Sequence, residues 1–171
     1  MSVKRLARLS VLTALALILF VIEGLFPPLF IPGAKMGVSN IITLLVLFTM
    51  RPVDALTLVA VRTTLGSLFS GGMSSLMYSL PAGLVSTAAS ILLIKCFFPR
   101  ISMISVSIAA AVLHNLTQNA IYCLITNTPQ MMGYMPYLAL IGVVAGLITG
   151  MAVYLAIRAI PLPFFRRMLA G

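Results

Sequence analysis

Between Arg100 and Arg158 the chain carries no aspartate, glutamate, lysine or arginine. The scarcity is general, since 8% of the 171 residues are charged and 61% are hydrophobic. Soluble domains carry about 25% charged residues. A chain this apolar must satisfy its backbone without water, and in lipid an α-helix does so within one segment. The sequence therefore specifies an all-α integral membrane protein. Its length suits one compact bundle, a single transmembrane domain over residues 1–171.

Proline, glycine and basic residues punctuate six apolar runs, which predict helices over 6–26, 38–50, 53–70, 73–98, 101–126 and 134–160. Pro27-Pro28 stops the first, Arg51-Pro52 the second, Gly71-Gly72 the third, Pro99 the fourth and Pro161 the last. A helix needs about 20 residues to span a bilayer. The second falls short, so part of the 27–37 loop is expected to dip into the membrane. Lys4-Arg5 ahead of an apolar run resembles a signal peptide. The run is too long for that and no clear A-x-A site follows, so it reads as a retained first helix.

Charge sets the orientation. Six spans put Lys4, Arg5, Arg8, Arg51, Lys95, Arg100, Arg158, Arg166 and Arg167 on one side and only Lys35 on the other. The positive-inside rule then places both termini in the cytoplasm and the loops at 27–37, 70–73 and 127–133 outside. A five-span arrangement breaks this pattern. The same rule accounts for the net charge of +9, so no nucleic-acid partner is expected.

Against this background, His114-Asn115-Leu116-Thr117-Gln118-Asn119-Ala120-Ile121-Tyr122 interrupts the fifth helix with polarity. At about 100° per residue, His114, Asn115, Gln118, Asn119 and Tyr122 share an arc of roughly 140°. Lipid cannot satisfy these groups, so the face points at protein, water or a ligand. Arg62 lies about nine residues into the third helix, near mid-membrane, and either pairs with Glu23 or meets an anionic or carbonyl group of a ligand. Asn40, Ser67, Ser70 and Tyr78 fall near the outer ends of their helices, and Tyr134 and Tyr137 open the sixth. The polar groups are thus expected to converge on the outer half, above a mostly apolar inner half. A through-channel would carry polarity along its whole length. The expectation is instead an outward-facing pocket under the 27–37 loop, formed by Lys35, Asn40, Arg62, Ser67, Tyr78, His114, Asn115, Gln118, Asn119 and Tyr122.

Gly142-x-x-x-Gly146-x-x-x-Gly150 lets helix backbones approach closely and is expected to pack within the monomer rather than form a dimer seam. Gly83, Ser86, Thr87 and Ser90 on the fourth helix receive the same packing interpretation. His114 has no companion ligand, and Cys96 and Cys123 lack C-x-x-C spacing, so no metal site and no disulfide are expected. No nucleotide, zinc-protease or nucleophile-elbow motif is present. Glu23 and Asp54, the only acids, sit toward opposite faces. They cannot form a catalytic pair or an Asp-rich Mg²⁺ site for diphosphate chemistry. The chain is therefore expected to be neither an enzyme nor dependent on a cofactor.

Three segments carry a resemblance. They are Pro32-Gly33-Ala34-Lys35-Met36-Gly37-Val38-Ser39-Asn40-Ile41-Ile42-Thr43-Leu44, Arg62-Thr63-Thr64-Leu65-Gly66-Ser67-Leu68-Phe69-Ser70-Gly71 and Ser79-Leu80-Pro81-Ala82-Gly83-Leu84-Val85-Ser86. With them the chain resembles a bacterial family known as heptaprenyl diphosphate synthase component I, or Gx transporter. That family is similar to the substrate-binding S components of energy-coupling-factor (ECF) transporters. The resemblance implies a six-helix bundle with both termini inside a bacterial cytoplasmic membrane and an outward pocket under the first loop. It also implies a small-molecule substrate, with flavin (riboflavin or FMN) as the transported ligand, because some members are linked to Rnf-type electron-transfer systems. The partner it implies is an ECF-type energising module; composition already makes the lipid bilayer a partner, and the lack of a nucleotide site leaves a homodimeric carrier as another arrangement. Ser10-x-x-x-Ala14 only partly matches the Ala-x-x-x-Ala docking patch of S components, and Pro81-Ala82 departs from the expected small residue and glycine. The family's other label implies a different role, a non-catalytic membrane subunit of a prenyl diphosphate synthase.

Overall fold

The computed structural model describes residues 3–25, 37–69 and 72–159. Lys35 and the rest of the 26–36 segment lie outside the described residues, as do the chain's last twelve positions. Among the described residues every regular element is helical: α1 (Val3–Leu25), α2 (Asn40–Thr49), α3 (Pro52–Phe69), α4 (Met73–Phe97), α5 (Met103–Thr126) and α6 (Met135–Ala159). A 3-10 segment, Pro129–Tyr134, leads into α6. α1, α4, α5 and α6 are long and apolar enough to cross a membrane. The expected all-α membrane bundle is thus the observed one, and α4 runs unbroken through Pro81.

Local chemistry sets the helix ends. Pro52 occupies the first position of α3, where its missing N–H would have had no partner. Two residues on, the Asp54 carboxylate reaches back to accept the Arg51 N–H at 3.1 Å, the carboxylate half of a capping box. Ser102 caps α5 by accepting the Ser105 N–H at 3.0 Å. Asn127 ends it in the left-handed region, with φ 52°, a conformation asparagine tolerates better than most residues.

Three contacts set how the helices run. Arg5 grips Asp54 through Nη2 and Nε, at 2.7 and 3.0 Å, joining the starts of α1 and α3. Glu23, near the end of α1, accepts the Gly37 N–H just before α2. Ser75 donates to Ser67 at 3.3 Å, joining the end of α3 to the start of α4. The helices therefore alternate in direction. Arg5, Arg8, Arg51, Lys95, Arg100 and Arg158 all fall at the end where Arg5 meets Asp54.

Burial is inverted relative to a soluble protein. Sixteen polar or charged side chains are buried among the described residues, against fourteen hydrophobic ones. Val11, Leu15, Ile18 and Ile22 stand exposed along α1, and Val61, Leu65 and Leu68 along α3, as lipid-facing stripes should. α3 thus carries an apolar outer face, and its inner face is apolar at Ala55, Leu58 and Val59 and polar at Arg62, Thr63 and Ser67. An apolar cluster including Leu9, Leu47, Leu58, Val106 and Val153 closes the bundle near the Arg5–Asp54 end.

The small-residue seam of α6 is internal, as expected. A Cβ at Gly142, Gly146 or Gly150 would lie 2.8, 2.5 or 2.9 Å from the Cα of Val112, Ile108 or Ile104 on α5. Gly146→Ala should therefore lower stability by about 1–3 kcal/mol, because two backbones must separate. Gly133→Ala, with nothing within 4 Å, should be neutral. Thermal unfolding of the two variants in detergent checks the contrast.

Candidate functional site

α2 is only ten residues long, so it rises about 15 Å, half the hydrocarbon thickness. Its C-terminal end lies beside the Arg51-Pro52 turn, and its N-terminal end therefore sits at mid-membrane. Arg62, the eleventh residue of α3, reaches the same depth, about 15 Å from the helix start. The two meet, and Arg62 Nη2 donates to Asn40 Oδ1 at 3.2 Å.

Around this junction lies a cavity of about 50 Å³, lined by all six helices. α1 supplies Phe20 and Glu23, and the approach to α2 supplies Gly37 and Ser39. α2 adds Asn40 and Thr43 with Leu44 and Leu47, and α3 adds Arg62 and Thr63. α4 contributes Ser79, Ser86, Thr87 and Ser90, while α5 contributes Ser107, His114 and Asn115. Thr149 completes the lining from α6.

Arg62 is the dominant feature. It is 2% exposed, and the Phe20 ring lies 5.9 Å from its guanidinium carbon, within cation–π range. Phe20 itself fits across Gly66, where any Cβ would overlap the ring. The sequence offered Glu23 as Arg62's ion-pair partner. In the structure Glu23 lines the same cavity and attracts the guanidinium electrostatically, while its carboxylate accepts from Gly37 and Asn40 receives the arginine's hydrogen bond.

The ten expected site residues separate. Asn40, Arg62, His114 and Asn115 line the cavity, and Lys35 lies outside the described residues. The other five do not line it. Asn119 donates to the Met131 carbonyl at 3.0 Å and holds the 3-10 segment. Tyr78 and Tyr122 pack edge to face with centroids 5.5 Å apart. Ser67 accepts from Ser75, and Gln118 is buried. Even Asn115 is partly structural, donating to the Leu138 carbonyl at 3.2 Å. The polar arc of α5 therefore divides, one end facing the cavity and the other anchoring the turn into α6.

The inner half is mostly apolar, as the cluster around Leu9, Leu58 and Val153 shows, but the polar lining reaches further into it than expected. Ser90, Ser107 and Thr149 carry the polar lining past the midpoint, and the last two bond to each other at 2.9 Å. Gly83, Ser86, Thr87 and Ser90 do include a packing residue, since a Cβ at Gly83 would sit 2.8 Å from Val59. The three hydroxyls beside it line the cavity, however. Ser86 also lies 3.4 Å from His114 Nδ1. Spacing of four on α4 was the available signal, but small hydroxyl residues serve packing and lining alike. Among the described residues no group of three or more His, Cys, Asp or Glu side chains comes together.

These roles predict opposite stability effects. Asn119→Leu should lose about 1 kcal/mol with its hydrogen bond. Arg62→Leu removes a poorly satisfied buried cation, so its stability should match or exceed the parent's. Thermal unfolding of both variants measures the difference.

Comparison with curated proteins and with solved structures gives no match. A family model described as heptaprenyl diphosphate synthase component I matches residues 12–155. That stretch includes α2, α3, α4 and α5 whole and most of α1 and α6, with every described cavity-lining residue. This six-helix membrane chain belongs to the heptaprenyl diphosphate synthase component I family.

Proposed function

We propose that the chain is a membrane transport protein, or the substrate-binding subunit of one, that takes a small polar molecule into the Arg62 cavity. One observation carries this reading. A hydroxyl- and amide-lined cavity with a buried arginine lies at mid-depth in a lipid-facing bundle, and an apolar cluster closes one end. Interhelical bonding alone would leave such groups paired with one another. The positive-inside rule makes the closed end cytoplasmic, so the ligand comes from outside. The reading is of a bacterial cytoplasmic membrane and a non-enzymatic chain. Its two carboxylates are engaged far apart, Glu23 on Gly37 and Asp54 on Arg5.

Flavin is the ligand we favour, on the resemblance to S components. About 50 Å³ is room for three to five waters at roughly 10–15 Å³ each. This conformation therefore encloses one polar group, and a tricyclic ring requires the helices to part, as alternating access demands. Energy input falls to other subunits, such as an ECF-type module, or to the ligand gradient. The purified protein should quench riboflavin or FMN fluorescence on binding. If neither flavin binds, the flavin assignment is wrong.

The family's description favours a second reading, a non-catalytic partner of a prenyl diphosphate synthase. It expects co-purification with a soluble, Asp-rich synthase whose activity needs both chains. Failure to find such a complex removes it.

A further inference from the structure

Two of the three guanidinium nitrogens of Arg62, Nε and Nη1, are buried without a hydrogen-bond partner. Two hydroxyls on the same cavity, Thr43 Oγ1 and Ser79 Oγ, are buried and unpartnered as well. Nearly all buried polar groups in folded proteins are paired. An arginine inside a membrane is among the most expensive groups to leave unpaired. Three residues on three helices therefore hold unfilled bonding capacity around one small space.

The chemistry of these groups selects the occupant. A guanidinium donates only and stays charged. Hydroxyls can donate alongside it. Thr43 sits in the first turn of the ten-residue α2, at the positive end of that helix's dipole. Donors, a cation and a helix N-terminus together suit phosphate or carboxylate oxygens. Glu23 is the one acid on the cavity, and one of its oxygens is committed to Gly37. The volume of about 50 Å³ matches an oxyanion group better than an aromatic ring system.

We propose, building on the ligand-binding reading above, that the cavity seats the oxyanion of its ligand. Arg62, Thr43 and Ser79 hold it at mid-membrane, at the N-terminal end of α2. Of the two flavins, FMN then fits the site and riboflavin lacks the group it reads.

The experiment titrates the purified full chain, in detergent free of phosphate buffer, with riboflavin, FMN and inorganic phosphate. Flavin binding is read by fluorescence quenching and phosphate binding by thermal stabilisation. FMN should bind at least about tenfold tighter than riboflavin, as expected for charge-assisted bonds. Inorganic phosphate should compete with FMN. Arg62→Lys, Thr43→Val and Ser79→Ala should each bring the FMN-to-riboflavin ratio toward one, whereas Glu23→Gln should raise it. Competition by phosphatidylglycerol but not by inorganic phosphate also supports the seat and identifies a lipid headgroup as its source. Equal binding of both flavins, insensitive to these variants, overturns the oxyanion seat and leaves the flavin reading standing. Arg62-dependent stabilisation by phosphate without flavin binding does the reverse. No response to any of the probes overturns both, leaving Arg62 to water.

Discussion

Lipid offers no hydrogen bonds, and this requirement organises the whole bundle. α1, α3, α4, α5 and α6 turn valine, leucine, isoleucine or methionine outward, and all but α1 bury polar side chains. Those inward groups must then find partners among themselves. Some do so through local bonds within their own helix. Ser90 donates to the Ser86 carbonyl at 2.8 Å and Thr149 to the Ala145 carbonyl at 2.9 Å. Others tie helix to helix, as Asn115 does to Leu138 and Ser107 to Thr149. Close approach along the glycines of α6 makes such bonds reachable.

α2 is where this economy breaks. A helix of ten residues cannot reach across the bilayer, so its N-terminal end stops inside. Polar backbone at that depth is tolerated where it lines a protein cavity. Here it meets Asn40, Ser39 and Arg62. The apolar cluster below fixes the C-terminal half of α2 through Leu44, Val46 and Leu47. An apolar base thus holds a polar, incompletely satisfied centre. Such a division suits binding, because the base contributes stability that the cavity forgoes.

Much of the fold was legible because two strong periodic signals agree. Runs of apolar residues located the helices, and the basic residues located one face. Pro52 and Arg51 marked the turn where Asp54 now caps α3 and holds Arg5. The site was legible only in part. Arg62 stood out because a charge in an apolar run has one explanation fewer than a serine does. His114 and Asn115 shared an arc with Gln118 and Asn119, and angular position on a helix cannot say which neighbour each residue meets. The hydroxyls of α4 looked like packing residues because their size suits both roles.

The sequence by itself determined an all-helical membrane bundle, its helix boundaries within a few residues, and Arg62 and Asn40 as members of its polar centre. Local hydrophobicity, charge and turn chemistry suffice for those features, since lipid enforces them segment by segment. Only the tertiary structure decided that Asn119 anchors the approach to α6 while Ser79, Ser86 and Thr43 face the cavity. It also decided that Asn40, not Glu23, receives the Arg62 hydrogen bond. Those outcomes depend on the rotation and depth of each helix against its neighbours, which side-chain packing sets across all six helices at once.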